Sequence, residues 1–242
     1  MGGYRRRSGH VFNLDVIAAA QVELNARRWT VSTPTAQERM DDEDAERRML
    51  CGYDFVDRLI ETGGDPFVYG GSQHLLELNR LVLCGTSPQR RVEFARHLAA
   101  SEQRFYDDPN CGADSFYAWM EEHRGLKPLP LAARVYRRIV GAPQLFIEGN
   151  QRTATLVTSF LLGRAGFAPL VRTAETFQSF ATLSERCKGI DRRRFSSKVL
   201  GWWLDRKLQQ FIARSLEDRF LTEARQGANA RSFARWTEVH SP

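Results

Sequence analysis

The chain has 242 residues, enough for one large domain or two small ones, and its 42% hydrophobic and 11% aromatic content is enough to build a core, which argues against disorder. No run of 18 apolar residues is present, which excludes a membrane-spanning helix, and MGGYRRRSGH lacks the apolar stretch of a secretory signal. The formal charge of +6 comes from arginine clusters such as Arg5-Arg6-Arg7, Arg90-Arg91, Arg137-Arg138 and Arg192-Arg193-Arg194, which suit phosphates or an acidic partner but equally make a solvated surface. Without a zinc finger, RNP motif or basic zipper, nucleic acid is not an expected partner.

In chain order, residues 1–12 read as a loose tail. Residues 13–28 form an amphipathic helix with Asn13 as cap. A second helix starts at the Thr35/Glu38 capping box and runs to residue 61, where Gly63-Gly64-Asp65-Pro66 ends it. Residues 72–84 are helical, with Ser72 as cap and Gly85 as stop. Ser87-Pro88 opens a further helical segment through about residue 106. A loop at 107–112, a short helix capped by Asp114, and the rigid stretch 125–130 follow.

Pro130 begins a helix to about residue 142. Residues 144–151 are a loop, and residues 152–164 are the most apolar helix and should be central. Thr173 caps a helix to 188. Residues 195–226 supply one long helix or two in series, packed through Trp202, Trp203, Leu208, Phe211, Ile212 and Leu216. No alternating strand pattern is evident, so an all-α fold is expected. Cys51, Cys84, Cys111 and Cys187 are widely spaced, as free thiols of a reducing cytoplasm would be.

The chemistry-bearing segment is Phe146-Ile147-Glu148-Gly149-Asn150-Gln151-Arg152. Gly149 relieves backbone crowding, and Asn150 tolerates left-handed geometry. Successive N–H groups can then converge just ahead of a helix, whose dipole adds positive potential. Arg152 brings a guanidinium fork suited to phosphate, and Glu148 can share Mg²⁺ with phosphate oxygens. The plainer reading of the same residues is an ordinary helix–loop–helix turn, with Glu148 paired to Arg152 at the surface and Asn150 capping the helix.

The stretch Gln144-Leu145-Phe146-Ile147-Glu148-Gly149-Asn150-Gln151-Arg152-Thr153-Ala154-Thr155 resembles the signature of the Fic/Doc (Fido) family, H-P-F-x-[D/E]-G-N-G-R-x-x-R. Phe146, Glu148, Gly149, Asn150 and Arg152 match it. The flanking helices are also similar, so the likeness covers about residues 72–211. It implies a Fic-like helical bundle around a central motif helix, residues 71–226; residues 1–70 lie outside it and read as an N-terminal helical extension, and residues 227–242 read as a tail. It also implies a site for Mg²⁺ and a nucleoside triphosphate, ATP in most of the family. Glu148 would hold the metal. Gly149, Asn150, Gln151, Arg152 and Thr155 would stand at the phosphate-binding positions, with Phe146 anchoring the loop.

Three departures limit that carry-over. Gln144 stands where the family has its catalytic histidine, and an amide has no basicity near pH 7; loss of a general base costs about 10²–10⁴ in rate. Gln151 replaces the second glycine, and Thr155 replaces the closing arginine. His74, His97 and His123 lie in the matched region but outside the motif pattern.

The expected function is therefore a pseudoenzyme or regulatory module that keeps an anion site and binds a protein target or partner, with self-association an open option. The alternative is an active transferase that moves AMP, phosphate or another phosphate-linked group onto a protein hydroxyl without the motif histidine. The family presents its targets along a β-hairpin flap, whereas the corresponding residues here, about 90–108, read as helix.

Overall fold

The computed structural model describes residues 10–31, 35–68, 70–193 and 197–223. Among these the architecture is all-α: α1 (Leu14–Val31), α2 (Ala36–Glu61), α3 (Ser72–Cys84), α4 (Pro88–Glu93), α5 (Ala95–Asp107), α6 (Ala113–His123), α7 (Pro128–Val140), α8 (Asn150–Arg164), α9 (Phe177–Lys188) and α10 (Ser197–Ser215). The expected tail from residue 227 and the first nine residues lie outside the described residues. No described helix is long and apolar enough to cross a membrane.

Helix α8 is the axis of the bundle. Ala154, Leu156, Val157, Phe160 and Leu162 are fully buried, because α7, α2 and α3 pack around it on different sides. A helix buried on several faces must be covered on each of them. Helices α1 and α2 place Ile17, Met49, Tyr53 and Val56 in the same core as residues of α7, α8 and α10. Tyr53 spans the layers by donating its hydroxyl to the Leu170 carbonyl at 2.6 Å.

Helix starts follow local chemistry. Asn13 Oδ1 accepts from Val16 N at 3.3 Å, and Ser87 Oγ accepts from Arg90 N at 3.3 Å, each satisfying an orphan donor of the first turn. Other starts differ from expectation. Helix α7 begins at Pro128 rather than Pro130, because both prolines fit a first turn that needs no N–H. Ser72 does not cap α3; its hydroxyl lies 3.2 Å from Tyr106 Oη. Thr173 forms a turn with Thr176, and α9 starts only at Phe177.

Three further expectations are corrected. Residues 10–12 and 221–223 are strands β1 and β2 of a small antiparallel sheet, with Val11 paired to Thr222. The C-terminal helix ends at Ser215 and gives way to a 3₁₀ turn at Asp218–Phe220. Trp202 and Trp203 do not pack inward: α10 is anchored by Leu204, Leu208 and Ile212, while the two indoles are exposed under the cations of Arg206 and Lys207. The flap region is helical, as α4 and α5 divided at Phe94.

Candidate functional site

The loop between α7 and α8 is held from both ends. At its entry, Ala142 N donates to the Ile190 carbonyl and Arg192 N to the Ala142 carbonyl, both at 2.9 Å, while the Arg192 guanidinium donates to the carbonyls of Arg138 and Pro143. Arg104, on α5, donates to the Gln144 carbonyl at 3.0 Å. In the middle, Phe146 is fully buried and stacks on Phe105 with ring centroids 5.4 Å apart.

At the exit, Gly149 adopts φ +76°, the left-handed conformation, as the N-cap residue of α8. The glycine therefore carries the turn, and Asn150 is already helical. Asn150 is 4% exposed and turns back on the loop: its Oδ1 accepts from Phe146 N at 2.9 Å and its Nδ2 donates to the Phe146 carbonyl at 2.8 Å. A residue outside the motif completes the brace. Asn79, buried on α3, donates to the Glu148 carbonyl at 2.9 Å and to Thr153 Oγ1 at 3.1 Å. Its sequence signal was a lone amide on the apolar face of LLELNRLVLC, a position that must find partners when buried.

The consequence is a row of free donors. Among the described residues, the backbone N–H groups of Ile147, Glu148, Gly149, Asn150, Gln151 and Arg152 have no acceptor, whereas Phe146 N and Thr153 N are both bonded. Carbonyls of the same stretch are drawn away: Phe146 to Asn150, Glu148 to Asn79, Gly149 to Thr153 N. A left-handed residue followed by a helix start, with unpaired N–H groups and a positive dipole end, is a concavity suited to an anion.

The side chains fall into two groups. Gln144 and Gln151 are occupied. Gln144 Nε2 donates to the Val140 carbonyl at 3.1 Å and its Oε1 accepts from Asn150 Nδ2 at 3.3 Å, so this amide ties the end of α7 to the loop. Gln151 Nε2 reaches α9, donating to Ser184 Oγ at 2.7 Å and Glu185 Oε1 at 3.2 Å. Thr155 is buried one turn below, with its hydroxyl bonded to the Gln151 carbonyl at 2.9 Å.

Arg152 and Glu148 are available. The ordinary surface-turn reading pairs them, but the side chain nearest the Glu148 carboxylate is His97, Nε2 to Oε2 at 3.5 Å, and the carboxylate is otherwise open to solvent. Sequence spacing gave His97 no role, yet α5 delivers it to the mouth of the loop. His97 Nε2 is buried without a hydrogen-bond partner. Burial lowers the Arg152 pKa to about 10, helped by the nearby charges of Arg48 and Arg172 and opposed by Glu148.

No group of three or more His, Cys, Asp or Glu side chains among the described residues could hold a metal alone, so a cation here would depend on phosphate oxygens beside Glu148. The four cysteines are free and buried, and burial raises each thiol pKa above its usual value.

With this geometry, the class is a helical bundle built around a loop that enters its central helix through a left-handed glycine. No family model matches the chain. Over 131 residues, 52% of this chain and 26% of the relative, it is 28% identical to a protein adenylyltransferase Fic of Drosophila mojavensis. Two solved structures align with it. One is a Fic-domain-containing signalling protein of Bacteroides thetaiotaomicron, with TM-score 0.45, 16% identity, 83% of this chain and 87% of that one. The other is a Fic-1 fragment of C. elegans, with TM-score 0.45, 17% identity, 83% of this chain and 60% of that one. At its motif residues and over that aligned stretch the chain is similar to a Fic protein, and it spans about a quarter of the length of the curated relative it matches.

Proposed function

We propose that the protein is a Fic-fold binding or regulatory module that retains a phosphate-binding cradle and lacks the transferase step. The observation carrying this reading is the contrast between the two halves of the motif. The backbone from Ile147 to Arg152 offers unpaired N–H donors ahead of a helix. Gln144, at the position where a base is needed, is a neutral amide bonded to Val140 and Asn150. A nucleoside triphosphate, ATP by family analogy, fits the cradle chemically, and Glu148 would hold Mg²⁺ against its phosphates. The partner is a protein whose recognition differs from flap docking, because α4 and α5 occupy that region as helices.

Calorimetry of the full chain with ATP, with and without Mg²⁺, tests the cradle, and incubation with labelled nucleotide and candidate proteins tests transfer. Binding without transfer supports this reading. Label moving onto a protein hydroxyl would instead establish the transferase alternative, since phosphoryl and nucleotidyl transfer rest mainly on positioning and charge.

A further inference from the structure

Helix α10 has two unlike sides. Leu204, Leu208 and Ile212 bury one of them in the bundle. The other opens with Val199, Leu200, Trp202 and Trp203, which are 77%, 51%, 59% and 37% exposed. Single exposed apolar residues are ordinary on a protein surface, but a contiguous group with two indoles is not. The next turn of the same side is cationic. Arg206 lies over Trp202 at 5.9 Å and Lys207 over Trp203 at 5.7 Å, while Arg186 of α9 lies over Trp203 at 5.8 Å. The acids of these two helices are engaged elsewhere: Asp205, the sole acid of α10, is buried and held by Arg137, and Glu185, the sole acid of α9, is held by Lys188. The outward side of α10 is therefore an apolar start followed by positive charge with no carboxylate among its described residues.

Charge decides what can cover such a side. A second copy docked by the same face would set these cations against their own counterparts. The occupant must bring negative charge together with an apolar layer. A protein partner gains most by driving a few side chains into apolar pockets. The recess beside Trp202, about 180 Å³, is instead bordered by Arg134, Asp205, Arg206 and Gln209 as well as Pro130. A lipid surface needs no pocket. Indoles and aliphatic side chains enter the boundary between headgroups and acyl chains, and arginine and lysine remain at the phosphates.

We propose that the outward side of α10 docks on an anionic lipid bilayer. Val199, Leu200, Trp202 and Trp203 enter the headgroup region, and Arg186, Arg206 and Lys207 face the lipid phosphates and carboxylates. The helix lies on the membrane and does not span it. A small apolar insertion with a few charges makes a reversible contact, so attachment follows the anionic lipid content. This surface is independent of the phosphate cradle.

The test floats the full chain with vesicles of phosphatidylcholine alone and of equal parts phosphatidylcholine and phosphatidylserine. The proposal expects flotation with the mixed vesicles, little with phosphatidylcholine alone, and a decline as salt rises. Replacing Arg206→Gln and Lys207→Gln together should lower the partition by about fivefold for each charge removed. Replacing Trp202→Ala and Trp203→Ala together should lower it by about tenfold or more. These side chains are exposed, so both variants should melt close to the unmodified chain, which separates lost docking from lost folding. The control removes two exposed charges elsewhere, Arg58→Gln with Arg124→Gln. If the control weakens flotation as much as the Arg206 and Lys207 pair, net charge alone does the binding and the proposal is overturned. An absence of flotation with the mixed vesicles overturns it as well. In that case, self-association in sedimentation that the tryptophan pair abolishes would assign the face to a second copy. Binding of poly-glutamate that both pairs weaken would assign it to an acidic protein.

Discussion

Asn150 and Phe146 are bonded to each other twice, main chain to side chain: Phe146 N donates to Asn150 Oδ1 at 2.9 Å and Asn150 Nδ2 donates to the Phe146 carbonyl at 2.8 Å. The pair closes the loop on itself with a buried amide, and the intervening N–H groups have no acceptor among the described residues. Asn150 therefore shapes the site through its side chain, while its own backbone N–H remains available.

The first prediction concerns that pair. Asn150→Ala leaves the Phe146 N–H and C=O buried without partners, and should destabilise the chain by about 2–6 kcal/mol, at roughly 1–3 per orphaned group. Urea unfolding measures it. A cost under about 0.5 kcal/mol would mean that the loop does not depend on this brace.

Gly149→Ala tests the turn. A side chain at φ +76° is strained, and its Cβ would lie 3.0 Å from Asn79 Nδ2 and 3.1 Å from Val82 Cγ2. The left-handed conformation alone costs about 1–2 kcal/mol, and crowding of Asn79 would disturb its bond to the Glu148 carbonyl. The expected result is a folded but less stable protein with impaired anion binding, read by urea unfolding and calorimetry side by side. Unchanged binding would show that the turn geometry is not what recognises the anion.

Glu46 gives a pH dependence. Burial, reinforced by Asp42 and Glu43, raises its carboxyl from the usual 4.5 to about 7. The folded state thus holds a proton that the unfolded state releases between about pH 4.5 and 7. The stability linked to this proton is fully present below pH 4.5 and is lost as pH rises through 7. Glu46→Gln should therefore raise the melting temperature at pH 8 relative to the unmodified chain and change it less at pH 5. A stabilisation that is the same at both pH values would contradict the assignment.

Gln144→His tests whether the remaining site can still support chemistry. In the unmodified chain the Gln144 amide is engaged by Val140 and Asn150, and no transfer of labelled nucleotide is expected. If the histidine variant gains AMP transfer onto a protein hydroxyl, the cradle is competent and only the base is missing. Transfer by the unmodified chain would overturn the pseudoenzyme reading.

Much of this was legible in the sequence because period and punctuation are local signals. The apolar run after Arg152 made α8 central, and Gly149 marked the turn. What escaped was non-local. The strand pairing of Val11 with Thr222 joins two segments too short to show alternation. Trp202 and Trp203 looked like core residues by type, but only the placement of Leu204, Leu208 and Ile212 on the opposite face decides which side of α10 is buried. Likewise Asn79 and His97 come to the loop from α3 and α5, and no spacing rule within the motif could bring them there.

The central claim is that backbone amides from Ile147 to Arg152 receive a phosphate anion. Titrating ¹⁵N-labelled full chain with pyrophosphate while following amide resonances tests it residue by residue. The largest shifts are expected to cluster at 147–152 and to saturate together. Shifts confined to exposed arginine clusters such as Arg192-Arg193, with 147–152 unmoved, would contradict it.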